Sequence, residues 1–331
     1  MEFFGFQWHI TDRCNLRCLH CYQDVFSRER ERDIKTLKSY AEKIFLSGVA
    51  ERIAVNITGG EPLLYPDIIE LLEYINDFNS CSEINIITNG TFINDELISV
   101  IKSLPKVRYL KISIESPDEK INDRIRGQGN LKEVTENLEK FRQTKKDILI
   151  MMTLASYNFR ETLGMVEYVR NNSLSGVIFE RFVPLGNGKR LKGEFLKRYE
   201  WKSVIEDILR ISGVGLNPEE VAQYKAFWLL SGREKMYLRA ALCNLGQDSM
   251  ALMPDGSVYP CRRYNKKVAD INDESFENIV KVLSLYEIKN IKSRLSGEIC
   301  GLCGFEDCVG CRALVYAITG DESEDDLQCF L

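Results

Sequence analysis

Three cysteines stand within the stretch HITDRCNLRCLHCYQD, Cys14, Cys18 and Cys21, at spacing C-x3-C-x2-C. Thiolates gathered this tightly hold a metal, form disulfides or act in redox chemistry, and the compartment decides between them. No charged and apolar leader precedes the first strand-like segment, FFGFQWHI, and no run of 18 or more apolar residues occurs. The chain therefore reads as cytosolic, with eleven cysteines expected to be ligands, redox groups or buried free thiols. A structural zinc site wants four ligands, and only His9 and His20 are available as histidines to complete one here. A [4Fe–4S] cluster has four irons, so three thiolates would leave one iron open to a ligand that is not protein.

Seven further cysteines follow late in the chain: Cys243, Cys261, Cys300, Cys303, Cys308, Cys311 and Cys329. The first two are spaced C-x12-G-x4-C through Gly256, inside the turn-like MPDGSVYPC, where a hairpin would bring two thiolates together. The next four read C-x2-C-x4-C-x2-C, with a middle loop much shorter than zinc ribbons use. Cys81 has no partner in sequence and reads as a structural thiol.

These groups must be positioned by the elements between them. Apolar residues alternate between periods of about 2 and 3.6. The strand-like FFGFQWHI, RIAVNIT, EINIIT, YLKISI, ILIMMTL and GVIFERFV are separated by helix-like segments, such as that from Thr36 to Leu46 with Leu37, Tyr40, Ala41 and Ile44 on one face. Six strands alternating with helices predict right-handed βαβ units in a parallel sheet, either doubly wound or curved into a partial barrel. In both, sites gather at the carboxyl ends of strands. The cysteine loop follows the first strand, GGEP the second, TNG the third and SPD the fourth. After PLGNGKR the alternation stops, a helical stretch is expected over roughly Tyr199 to Leu229, and a second module is expected from about Cys243. A net charge of -5 argues against nucleic acid as the main partner, and no membrane association is expected.

C-x3-C-x-aromatic-C after the first strand, with His20 in the aromatic slot, resembles the signature of the radical S-adenosylmethionine (radical SAM) superfamily. The resemblance implies that Cys14, Cys18 and Cys21 hold a [4Fe–4S] cluster whose open iron takes the amino and carboxylate groups of S-adenosylmethionine. One-electron cleavage would then give a 5′-deoxyadenosyl radical that abstracts hydrogen from a substrate. ITGGEP resembles the family's GGE motif, which implies Gly59, Gly60, Glu61 and Pro62 as neighbours of the methionyl ammonium. SIESPDEKINDRIRG resembles its S-x-[DE] strand end, with Ser113 and Glu115 on the ribose side and Arg126 as a fork for the ligand carboxylate. FVP, with Val183, falls where the sixth strand end frames adenine, and Asn89 in ITNG is a further candidate.

From Cys243 the chain resembles a SPASM domain, the auxiliary-cluster module of radical enzymes that modify peptides, proteins and some cofactors. Its central block is one residue shorter than the family pattern in each of two gaps. The resemblance implies two auxiliary [4Fe–4S] clusters, one on Cys300, Cys303, Cys308 and Cys329, the other on Cys243, Cys261 and Cys311 with one position open. The implied architecture is α/β, a partial parallel (β/α)6 TIM-like barrel over residues 1–190, a helical connection over 191–240, and a small cysteine-rich auxiliary-cluster domain over 241–331.

The implied substrate is a ribosomally made peptide or protein that receives a crosslink, thioether or epimerised residue. An alternative is a tetrapyrrole or other cofactor precursor, whose carboxylates would suit Arg181, Lys189, Arg190, Arg262 and Arg263. An iron–sulfur electron carrier without chemistry of its own would explain the cysteines but not GGEP or the S-x-E strand end. Arg262 stands where sulfatase-maturing relatives carry an aspartate, which argues against that activity. A low-potential electron donor such as ferredoxin or flavodoxin is implied. The chain starts at its first strand, so either a separate leader-peptide-binding protein or direct substrate recognition is expected.

Overall fold

The computed structural model describes residues 1–233, 235–246 and 249–331. Its first half is the expected alternation. β1 (Phe3–His9), α1 (Ile34–Phe45), β2 (Arg52–Thr58), α2 (Ile68–Asn76), β3 (Cys81–Thr88), α3 (Asp95–Ser103) and β4 (Val107–Ser113) lead to α4 (Glu119–Arg126) and α5 (Asn130–Gln143). β5 (Asp147–Leu154), α6 (Thr162–Asn171) and β6 (Gly176–Arg181) follow. The six strands pair in parallel in sequence order, as in a partial (β/α)6 barrel. Local chemistry sets the helix starts: Asp33 caps α1 by accepting from Thr36 N at 2.8 Å, and Asn94 caps α3 through Leu97 N at 2.9 Å.

Strand faces divide by the two-residue repeat. On β4, Leu110 and Ile112 pack outward with Val134 and Leu138 of α5 in the main core, while Tyr109, Lys111 and Ser113 face the barrel interior. Helix α1 buries Leu37, Tyr40, Ala41 and Ile44, the face its period predicts, each large side chain contributing about 1.5–3 kcal/mol. Cys81 opens β3 and is buried inside the same core.

The stretch expected to be helical from Tyr199 to Leu229, within a helical connection over 191–240, is helical only in part. Helix α7 (Arg198–Ser212) ends at Gly213, and the chain then forms a hairpin of β7 (Ala226–Ser231) and β8 (Met236–Ala241). β7 pairs antiparallel with β6, which gives AFWLLS a hydrogen-bonded edge that outweighs any helical preference. Trp228 of β7 turns inward against Tyr109, with Lys111 Nζ 4.9 Å from its ring, and so plugs the barrel floor. Burial pushes Lys111 down to about 8.

The cysteine-rich region is joined to the barrel by the sheet itself. β9 (Ser249–Leu252) pairs in parallel with β1, and β10 (Ser257–Tyr259) and β11 (Ala269–Asp270) continue the sheet antiparallel. One sheet of eleven strands results, in the order β11-β10-β9-β1-β2-β3-β4-β5-β6-β7-β8. The MPDG turn between β9 and β10 is closed by Met253 N donating to Ser257 O at 2.9 Å. Helices α8 (Phe276–Leu283), α9 (Ile288–Lys292) and α10 (Arg312–Thr319) complete the chain. Among the described residues no helix is long and apolar enough to cross a membrane.

Candidate active site

A cavity of about 150 Å³ lies at the carboxyl ends of the parallel strands. Every one of the six contributes an inward residue: Gln7, Thr58, Ile87, Ser113, Met151 with Thr153, and Glu180. The thiols of Cys14, Cys18 and Cys21 form part of its wall, and none is in a disulfide. Backbone donors point at two of them, Leu16 N to Cys14 Sγ and Gln23 N to Cys21 Sγ, both at 3.4 Å, and Asn89 Nδ2 lies 3.7 Å from Cys14 Sγ. Burial disfavours the thiolates, raising all three and pushing Cys21 up to about 11. A bound metal centre would supply the missing positive charge. Among the described residues no three His, Cys, Asp or Glu side chains gather closely enough for a single metal ion.

The cysteine loop is held from two sides. Gly60 N donates to Thr11 O at 2.8 Å and Glu61 N to Arg13 O at 2.7 Å, so the GGE loop braces the loop that carries the cysteines. The glycines are required by this contact: a Cβ on Gly60 would stand 2.1 Å from Arg13 O, and one on Gly59, at φ +150, 2.3 Å from Thr11 O. On the other side Gly188 N donates to Cys21 O at 2.9 Å, and a Cβ on Gly186 would stand 2.5 Å from the backbone of Tyr22. The PLGNGKR segment, where the alternation stops, is thus the second brace.

Of the residues expected to contact S-adenosylmethionine, His20, Gly59, Gly60, Asn89, Ser113, Glu115, Arg126 and Val183 line the cavity. Glu61 and Pro62 do not. The Glu61 carboxylate is fully buried behind the wall, where it accepts from Leu63 N at 3.1 Å, Thr88 Oγ1 at 2.7 Å and Asn89 N at 2.7 Å. Two of these donors share Oε1 and only Asn89 N reaches Oε2, so the carboxylate fixes the Asn89 loop and keeps acceptor capacity on Oε2. Pro62 opens a short 3₁₀ turn after it. Burial pushes the Glu61 carboxyl up to about 7 despite the three donors.

Glu115 organises the opposite wall. It accepts from Arg126 Nη1 at 2.9 Å and Thr153 N at 2.8 Å, and His20 Nε2 lies 3.1 Å from the same oxygen as Arg126. Burial would raise this carboxyl, but His20 and Arg126 outweigh it and hold it below its ordinary range. Among the described residues His20 Nδ1 and Arg126 Nε are buried without hydrogen-bond partners, so donor or acceptor capacity is left over on this wall. Sequence reasoning missed Gln7, Thr58, Ile87, Met151 and Thr153; strand alternation places such residues on one face, but only the closed sheet says which face is inside.

The later cysteines fall into two groups. Cys300, Cys303, Cys308 and Cys329 line one small cavity together with Lys225 and Asp326. Cys308 Sγ lies 3.5 Å from both Gly310 N and Lys225 Nζ, and Cys300 Sγ receives Asp326 N at 3.2 Å. Cys243, Cys261 and Cys311 form the other group: burial pushes the Cys243 thiol up to about 12, and the two other thiols act on it. Asp326 joins these groups to the barrel. Its Oδ2 accepts from Arg181 Nη1 and from Cys311 N, each at 2.8 Å.

Residues 8–169 match the sequence profile of the Radical SAM superfamily, and residues 243–308 that of the SPASM iron–sulfur cluster-binding domain. The AdoMet-dependent heme synthase of Methanosarcina barkeri is 23% identical, over 97% of this chain and 95% of that protein. The subtilosin biosynthesis protein AlbA of Bacillus subtilis is also 23% identical, over 92% of this chain and 66% of that protein. Streptococcus suis SuiB, solved with its precursor peptide SuiA, shares the fold at a TM-score of 0.72 and 15% identity, covering 100% of this chain and 76% of that one. The profile match covers the cysteine loop and β2 to β5, and the relatives are S-adenosylmethionine-dependent enzymes, which sets aside an electron carrier without chemistry. The chain belongs to the radical SAM superfamily of enzymes and carries a C-terminal SPASM domain.

Proposed function

We propose that the enzyme holds a [4Fe–4S] cluster on Cys14, Cys18 and Cys21, binds S-adenosylmethionine in the strand-end cavity, and modifies a ribosomally made peptide or protein in the cytoplasm. One observation carries this reading: three free thiols share a wall with residues from all six parallel strands. When bound, the cluster and S-adenosylmethionine supply one-electron chemistry that ends in hydrogen abstraction from a substrate carbon.

The residues of the chain bind and orient. Asn89, fixed by Glu61, holds the Cys14 thiolate; the backbone of Gly59 and Gly60 is left for the methionyl ammonium. Arg126, with Nε free, takes the ligand carboxylate. Ser113 and the ionised Glu115 lie on the ribose side, and Phe182 and Val183 frame the adenine. Cys300, Cys303, Cys308 and Cys329 hold one auxiliary [4Fe–4S] cluster, and Cys243, Cys261 and Cys311 hold a second with one position open. A low-potential ferredoxin or flavodoxin supplies electrons. A peptide substrate is supported by the resemblance to AlbA, named for bacteriocin biosynthesis, and by the fold shared with peptide-bound SuiB.

A second reading, modification of a tetrapyrrole, is favoured by the unpaired Arg262 in the cavity wall, which suits a propionate. The test common to both is anaerobic reconstitution followed by strong reduction with S-adenosylmethionine. 5′-Deoxyadenosine is expected from the wild type and none from the variant with Cys14, Cys18 and Cys21 changed to alanine. Undiminished product in that variant would refute the assignment.

A further inference from the structure

Four arginines line the cavity, Arg126, Arg181, Arg262 and Arg263. Three have carboxylate partners: Arg126 has Glu115 at 2.9 Å, Arg181 has Asp326 at 2.8 Å, and Arg263 has Glu180 at 3.5 Å. Among the described residues Arg262 forms no ion pair and no hydrogen bond, and its Nε is buried with nothing to donate to. Asp12, an acid within its electrostatic reach, is occupied by Arg30 at 2.8 Å. Arg262 is nevertheless held in place, with its guanidinium over the Tyr22 ring, 4.5 Å from the centroid.

An arginine partly removed from water, clamped by stacking and with no carboxylate in hydrogen-bond contact among the described residues, bears the cost of burial without the full return. A ligand carboxylate would provide that return, since the planar fork accepts two parallel hydrogen bonds from one carboxylate. We propose that Arg262 is the specificity-determining residue of this enzyme and that it binds a carboxylate of the substrate. The inference rests on the reading of the cavity as the place where S-adenosylmethionine and substrate meet. It narrows the substrate class to molecules with a free carboxylate near the carbon that reacts. That carboxylate is an acidic side chain if the substrate is a peptide and a propionate if it is a tetrapyrrole.

The experiment uses the reconstituted full chain saturated with S-adenosylmethionine under anaerobic conditions. Two probe pairs are titrated: the blocked peptide Ac-Ala-Glu-Ala-amide against Ac-Ala-Gln-Ala-amide by calorimetry, and coproporphyrin III against its tetramethyl ester by absorbance. At least one carboxylate probe is expected to bind about tenfold or more tightly than its neutral counterpart, the scale of one charge-assisted pair. The pair that discriminates identifies the carboxylate's source. Arg262→Gln is expected to erase the preference, and Arg262→Lys to keep part of it, since the charge stays and the fork is lost. An undiminished preference in Arg262→Gln, or no preference in the wild type for either pair, overturns the proposal. So does a variant altered only in its cluster absorption, which would make Arg262 a counter-charge for the neighbouring Cys21 thiolate. Wild type that fails to bind S-adenosylmethionine at all would instead overturn the reading of the cavity.

Discussion

Asp326→Asn removes a charge from the point where the barrel meets the cysteine-rich region. The Arg181 and Asp326 side chains are 2% and 1% exposed, and the Arg181 guanidinium lies 4.5 Å from the centre of the Trp201 ring. Asparagine can keep its oxygen toward Arg181 and Cys311 N, but its amide then faces Gln328 N, which donates to Asp326 Oδ1 at 3.1 Å. One hydrogen bond and the counter-charge of a buried cation are lost together. Breaking a buried pair in this way costs about 3–5 kcal/mol, a large share of the roughly 5–15 kcal/mol that stabilises a domain. The assay is urea unfolding of the reduced apo chain followed by tryptophan fluorescence, with Trp201 reporting locally. Arg181→Met and the double variant complete a cycle. A coupling energy of about 2 kcal/mol or more is expected; additivity within about 0.5 kcal/mol would refute the reasoning. Acid sensitivity checks it independently. Burial raises the Asp326 carboxyl, but Arg181 and Lys225 outweigh it and hold the group far below its ordinary range. Its stabilisation is therefore complete above the ordinary value of about 3.9 and is lost as pH falls below it, a loss that the asparagine variant will not show.

Glu61 is expected to behave in the opposite sense. Its carboxyl is raised to about 7, so its stabilisation is complete below about pH 4 and lost as pH rises through 7. At about 1.4 kcal/mol per unit this amounts to about 3 kcal/mol, and urea midpoints from pH 5 to 8 should slope downward in the wild type relative to Glu61→Gln; equal slopes refute it. Gly60→Ala places a methyl group 2.1 Å from Arg13 O, so the brace under the cysteine loop must open. A loss of about 2 kcal/mol and of S-adenosylmethionine affinity is expected, read by unfolding and equilibrium dialysis; wild-type values in both would show that the brace is dispensable. Iron analysis of the reconstituted chain should give about twelve irons, falling to about eight when Cys300 and Cys303 become alanine. About eight in the wild type, unchanged by substitution of Cys243, Cys261 and Cys311, would mean a single auxiliary cluster.

Much of the barrel was legible because parallel strands buried on both faces leave apolar runs bounded by polar loops, and RIAVNIT reproduces β2 residue for residue. AFWLLS was misread because a short apolar run has no period of its own; pairing with β6 made it a strand, and that partner lies far away in sequence. The cysteine spacing pointed to the site, since ligand geometry constrains neighbours along the chain. Glu61 shows the limit. An acid in a glycine-rich loop reads as a ligand contact, and only the fold reveals that Leu63, Thr88 and Asn89 also donate to it and bury it behind the cavity wall. Arg262 stood out in the sequence by its place after Cys261, but its lack of a hydrogen-bonded partner among the described residues emerged only when its three arginine neighbours were found paired.

The pairing of β9 with β1 also has a consequence for how the chain is made. Strand β1 is synthesised long before β9, so the edge opposite β2 stays unpaired until Ser249–Leu252 has left the ribosome, more than two hundred residues later. A contact of such sequence separation forms slowly, and an open strand edge invites pairing with other chains. Until then the waiting strand, which carries Phe4, Phe6 and Trp8, presents an open edge of the kind that makes partly folded chains prone to aggregate. Expressed without the cysteine-rich region, the barrel will aggregate for want of a neighbour strand even if every residue of its own six βα units is intact.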